Sequence, residues 1–154
     1  MQTQKDFQIK DYLGKWYEIA KIPNPWEIGC KMSTAKYSED WTDPNAILIE
    51  NKCYDKQGLL IKRRYGRAQI ADITDASKLK VKFLDSFDKP EADYWVLKTN
   101  YHSYSFVGGP DKKYLWILSR ESQVPHSHIP ILLKEVIYQG YNPDLVISNS
   151  RRFF

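Results

Sequence analysis

The chain has 154 residues, enough for one domain with its own core and short for two. Its 5 Trp, 11 Tyr and 6 Phe exclude disorder and low complexity, and no apolar run approaches the ~18 residues of a membrane-spanning helix. The 23 Lys and Arg against 19 Asp and Glu leave +4, too mild and scattered for a nucleic-acid stripe, and Cys30, Cys53 and three His lack metal-ligand spacing. No nucleic-acid partner, cofactor or metal is therefore expected.

Residues 1–10 carry no apolar run, so a signal peptide is not expected within them. Short segments rich in aromatic and β-branched residues then follow one another: 16–20, 31–37, 47–51, 59–70, 79–83, 94–97, 104–107 and 114–118. Gly, Pro, Asn and Asp separate them, most plainly at Asp43-Pro44-Asn45 and Gly108-Gly109-Pro110-Asp111. Residues 79–83 alternate strictly between apolar residues and lysine. After the eighth strand the period changes. Ile129, Leu132, Leu133, Val136 and Ile137 fall at helical spacing before Gly140, predicting one helix over about 127–140. Residues 145–148 read as a short ninth strand. The fold class is all-β. Eight strands suit a closed barrel whose interior is either filled or holds one small ligand, and a sandwich would look much the same.

Three local motifs narrow the choice. Gly14-Lys15-Trp16-Tyr17-Glu18 opens the first strand, Thr99-Asn100-Tyr101-His102-Ser103-Tyr104 joins the sixth to the seventh, and Arg120 ends the eighth. In order and spacing they resemble the three signature regions of the lipocalin family, over about residues 9–148. In appearance the bacterial lipocalin and apolipoprotein D branch is the nearest. Asn100 stands where many members have Asp. The resemblance implies one domain over 1–154: an eight-stranded antiparallel up-and-down barrel over about 12–120, a C-terminal α-helix packed outside, and the short ninth strand. It also implies that Trp16 and Arg120 stack at the barrel floor in a structural role, with Gly14, Thr99, Asn100 and Tyr101 as the remaining signature positions.

Strand alternation assigns faces. If Trp16 points inward, Glu18 and Ala20 share its face; if Arg120 points to the floor, Leu118, Trp116 and Tyr114 line the inside. Val81 and Phe83 face in because Lys80 and Lys82 cannot. The resemblance adds Ala35 and Tyr37, Ile49 and Asn51, Tyr94 and Val96, and Ser105 and Val107. Such a lining suits a long apolar ligand with one polar end. Small residues on this face favour space, although the same residues would also serve as an ordinary core. On the fourth strand, Lys62 and Arg64 share a face, and Arg64 is the candidate partner for a lipid carboxylate or phosphate. Trp26 and Ile28, in the loop before the second strand, are expected at the mouth as a lid or a membrane-facing tip.

The cysteines stay open at this level. Mirror counting about residues 43 and 44 sets Cys53 opposite position 34, roughly 13 Å from Cys30 at strand rise and beyond the ~7 Å Cα limit of a disulfide. A bulge or a wide loop would close that gap. Alternatively Cys30 is a nucleophile, as its position resembles the thiol of a prostaglandin-synthesising lipocalin. The leading expectation is a binder and carrier of a small hydrophobic ligand, a fatty acid or lysophospholipid, in membrane lipid maintenance. A Cys30-dependent lipid enzyme and a filled-barrel interaction module are the alternatives. A membrane surface is a further candidate partner, and the expected state is monomer or homodimer. The expected setting is periplasmic or at an outer membrane if a signal has been removed, and otherwise cytoplasmic or membrane-peripheral.

Overall fold

A computed structural model describes residues 2–86, 88–148 and 151–153, with Arg151 and Arg152 described in backbone only. The strands are β1 (Gly14–Lys21), β2 (Met32–Glu39), β3 (Ala46–Tyr54), β4 (Leu60–Ile70), β5 (Lys78–Phe83), β6 (Ala92–Thr99), β7 (Tyr104–Gly108) and β8 (Leu115–Ser119). Each pairs antiparallel with the next, and β8 returns to β1 through Tyr17 opposite Ser119 and Glu18 opposite Leu118. Eight strands thus close into a barrel, and closure leaves no exposed edge among them.

Two short strands extend the sheet beyond this ring. β9 (Ile147–Ser148) pairs with β1 at Lys21, and β10 (Arg151–Arg152) pairs with β9. β9 is shorter than the expected 145–148 because residues 143–145 form a 3-10 turn capped by Asn142, whose side chain accepts from Asp144 N–H. A four-residue helix, α1 (Ile9–Tyr12), precedes the barrel and was not anticipated, being too short to show a period. α2 (Ile129–Tyr138) follows β8, and Gly140 ends it at φ +88°, in the left-handed region that suits glycine. No helix among the described residues is long and apolar enough to cross a membrane.

The apolar side chains divide into two cores. One fills the lower barrel interior around Trp16, Tyr12, Leu79, Val96 and Ala68. The other lies on the outer wall, where Leu132 and Val136 of α2 cover Leu97, Phe106, Leu115 and Ile117. Alternation along β8 explains the division, since Leu115 and Ile117 face the helix while Trp116 and Leu118 face the lumen. Gly108 has no Cβ where the Tyr141 hydroxyl packs against it.

Alternation fails at one predicted position. A β-bulge in β1 places Glu18 opposite Leu118 and Ala20 opposite Ile117, so Ile19 is the extra residue. The face reverses there, and Ala20 packs in the outer core instead of lining the lumen.

Candidate functional site

The floor of the barrel is built first. Trp16 is fully buried, and its indole N–H donates to the Tyr12 carbonyl at 2.9 Å. The Arg120 guanidinium covers the ring face, 3.8 Å from its centroid. Its N–H groups donate to the carbonyls of Tyr101 (2.9 Å), Lys15 (2.9 Å) and Leu13 (3.0 Å). Gly14 is required here twice: its φ is +103°, and a Cβ would stand 3.2 Å from Arg120 Nη1. Asn100 serves as a turn cap, its Oδ1 accepting from Ser103 and Tyr104 N–H at 3.0 and 2.9 Å. An amide oxygen suffices for that task. Thr99 Oγ1 accepts from Tyr101 N–H and donates to the Tyr104 carbonyl.

Above the floor stands a chain of hydroxyls. Tyr37 bonds Tyr94 at 2.6 Å, Tyr94 bonds Tyr12 at 2.9 Å, and Tyr12 bonds Ser105 at 2.7 Å. Burial raises the Tyr12 hydroxyl to about 12 and pushes Tyr37 and Tyr94 well up, so all three stay neutral. Val96 and Ser105 belong to this packed base and do not line the open space, contrary to expectation, because Trp16 and Tyr12 fill the barrel at their level.

Over this base opens a cavity of about 420 Å³. Of the expected lining residues, Glu18, Trp26, Ala35, Tyr37, Ile49, Asn51, Arg64, Val81, Phe83, Tyr94, Val107 and Trp116 surround it. Tyr114 does not, since it precedes β8 and packs edge-on behind Trp26, ring centroids 5.0 Å apart. A space of this size with mainly apolar walls suits one small apolar molecule, and it overturns the filled-barrel alternative.

Polar groups interrupt the apolar lining: Lys52, Lys82, Lys89 and Asp93 also border the space, Lys82 although strand alternation points it outward, and two further groupings carry defined contacts. Arg64 stacks over Phe83 at 3.9 Å, and its Nε and Nη2 donate to Asp85 at 2.8 and 2.9 Å. The expected anion partner is thus already engaged by a carboxylate from the next loop. Lys62, one inward position nearer the mouth, faces the cavity; its ammonium makes a long contact to the Trp26 carbonyl at 3.4 Å and helps hold the Asp85 carboxyl low.

The second grouping joins the mouth loop to the wall. Glu27 accepts from Trp116 Nε1 at 2.8 Å and Asn24 Nδ2 at 2.6 Å, and it shares a hydrogen bond with Glu18. Lys21 lies 3.6 Å from both carboxyls. Burial, then the Glu27 charge, pushes Glu18 well above the ordinary carboxyl range. Glu27 is held low in spite of its own burial, because Glu18, Asn24 and Trp116 hydrogen-bond to it. Glu18 therefore carries the proton and donates to ionised Glu27. Sequence reasoning missed Glu27 and Asn24. Their one local signal is Asn24 before Pro25, an N-cap whose side chain accepts from Trp26 N–H at 3.1 Å.

Cys30 and Cys53 are bonded, with Cα atoms 5.3 Å apart. The β2–β3 register sets Ser33 opposite Cys53, and the chain turns back through Gly29 at φ +86°, which closes the gap that straight-strand counting left. The bond leaves Cys30 without a thiol, so the nucleophile reading is overturned. Among the described residues, no group of three or more His, Cys, Asp or Glu is placed to hold a metal.

Known proteins resemble this chain in sequence and in fold. A family model described as a lipocalin-like domain matches residues 7–150. The outer membrane lipoprotein Blc of Vibrio cholerae is 30% identical over 142 residues, covering 92% of this chain and 81% of the relative. Apolipoprotein D of Rattus norvegicus is 35% identical over 137 residues, covering 84% and 69%. Insecticyanin from the tobacco hornworm Manduca sexta has the same fold, with a TM-score of 0.74 at 22% identity over 97% of this chain and 84% of that one. With the family model matching nearly the whole chain and the floor pair in place, the protein belongs to the lipocalins, a family of barrels that bind small hydrophobic ligands.

Proposed function

We propose that the protein binds and carries a single-chain lipid with an anionic end, a fatty acid or lysophospholipid, as a binder rather than a catalyst. The observation that carries this reading is the position of Lys62, a cation facing a mainly apolar cavity near its mouth. The acyl chain lies among Ile49, Val81, Phe83, Val107 and Leu118, where burial of apolar area drives binding at roughly 25 cal/mol per Å². The carboxylate or phosphate meets Lys62, while Arg64 shapes the wall through Phe83. Likeness to two outer membrane lipoproteins supports a periplasmic or outer-membrane setting and a part in maintaining membrane lipids.

A fluorescence titration tests this, because Trp116 and Trp26 face the cavity. A fatty acid is expected to saturate the signal, and its uncharged alcohol of equal length to bind about tenfold more weakly. Lys62→Gln removes that difference, and Ile49→Trp, which fills the space, abolishes both. Equal affinities for acid and alcohol in the parent protein would overturn the charged-end reading. Saturable binding that persists in Ile49→Trp would overturn the cavity as its site.

A further inference from the structure

Leu59, Leu60 and Ile61 stand in a row at the tip of the β3–β4 hairpin, 64%, 44% and 52% exposed. A run of three consecutive apolar residues in solvent serves no core and marks a contact surface. Beside it Ile28, on the mouth loop, is 83% exposed. The two tips form one surface. A Cβ on Gly29 would lie 3.9 Å from Ile61 Cδ1, Lys31 N–H donates to the Tyr54 carbonyl at 2.8 Å, and the Cys30–Cys53 bond ties the loops together. Trp26 stands half-exposed at the adjoining rim, where an amphipathic ring suits a boundary between water and hydrocarbon.

The charge around this tip has one sign. Residues 52–64 hold five basic side chains and a single acid, Asp55. The Asp55 carboxylate is occupied within the turn, accepting from Gln57 and Leu59 N–H at 2.9 and 3.0 Å. Arg63 and Arg64 face Glu50 and Asp85, whereas Lys56 and Lys62 flank the apolar tip on exposed positions.

We propose that the tip formed by Ile28, Leu59, Leu60 and Ile61 docks on an anionic lipid bilayer, with Lys56 meeting the headgroups. The shape favours a bilayer, because projecting loop tips need no complementary pocket to enter the boundary between headgroups and acyl chains. The basic surround selects anionic lipid and sets like charges face to face if a second copy docks there. Nothing in this proposal depends on what the cavity holds.

The test is sedimentation of the intact, oxidised protein with vesicles of phosphatidylcholine containing one-third phosphatidylglycerol. The parent protein is expected to partition onto them, with Trp26 emission quenched by brominated acyl chains. Pure phosphatidylcholine and high salt are expected to weaken the partition. The double variant Ile28→Ser, Ile61→Ser loses about tenfold or more, as two partly inserted side chains should. Ile73→Ser, a still more exposed residue in the loop beyond the far end of β4, changes nothing. No partition by the parent overturns the proposal, and so does partition that the double variant retains. Light scattering that shows a dimer dissolved by the same double variant also overturns it, assigning the tip to a second copy.

Discussion

The guanidinium carbon of Arg120, at the end of β8, lies 3.8 Å from the centroid of the Trp16 ring in β1, across the seam where the barrel closes. The stack joins the first and last strands of the barrel. The carbonyls of Tyr101 in the β6–β7 turn, of Leu13 just before β1 and of Lys15 within β1 accept from the same guanidinium, so one side chain fastens the closed end.

Trp16→Ala is accordingly expected to cost about 3–5 kcal/mol, the range for truncating a large buried aromatic. Arg120→Lys keeps the charge but loses the planar stack and most of the carbonyl contacts, and should cost about 1–3 kcal/mol. Denaturant unfolding measures both. Midpoints equal to the parent's would remove the floor pair from any part in stability.

The Glu18–Glu27 pair makes the mouth loop depend on pH, with opposite signs for the two carboxyls. The ordinary value for each is 4.5. Glu18 is raised by burial and by the neighbouring Glu27 charge, so its contribution is complete below pH ~4.5 and is lost as pH rises through its elevated native value. Glu27 is lowered by its hydrogen bonds despite burial, so its contribution is present above pH ~4.5 and is lost as pH falls through its native value. The groups facing Glu18 are Glu27 on the loop, Lys21 on β1 and Tyr37 on β2. Amide protection over residues 24–29, taken relative to the intrinsic exchange rate at each pH, should therefore fall on the alkaline side, as Glu18 ionises against Glu27. Glu18→Gln retains a donor to Glu27 and removes the titration, so its alkaline limb should be flat. A limb as steep as the parent's would place the titration elsewhere.

The Cys30–Cys53 bond spans 23 positions. Opening a loop of that length releases chain entropy worth about 3 kcal/mol in the unfolded ensemble. The double variant Cys30→Ser, Cys53→Ser should be destabilised by about 2–4 kcal/mol and cleaved faster by protease near residues 26–31. Turnover of reactive lipids should not appear in the oxidised parent, since neither sulfur is a thiol. A variant with parent-like stability and cleavage would show that the loop is held by Glu27 and Asn24 alone.

Much of this was legible from local chemistry. The alternation of Leu79, Val81 and Phe83 with Lys80 and Lys82 assigned the faces of β5, because a period of two is a property of any strand. The spacing of Leu132 and Val136 gave the helix, and the resemblance of the motifs at residues 14–18, 99–104 and 120 pointed to the floor. What sequence alone left undecided depends on segments that meet only after folding. The bulge at Ile19 turns Ala20 outward because β8 sets the register opposite it. The turn through Gly29 brings Cys30 to Cys53, which straight-strand counting kept apart. Asp85 reaches Arg64 from 21 residues away, and Glu27 meets Glu18 only because the mouth loop folds back over β1. Local pattern thus assigned faces along single strands such as β5, while the pairing of distant segments decided where a bulge reverses them and which charged side chains meet.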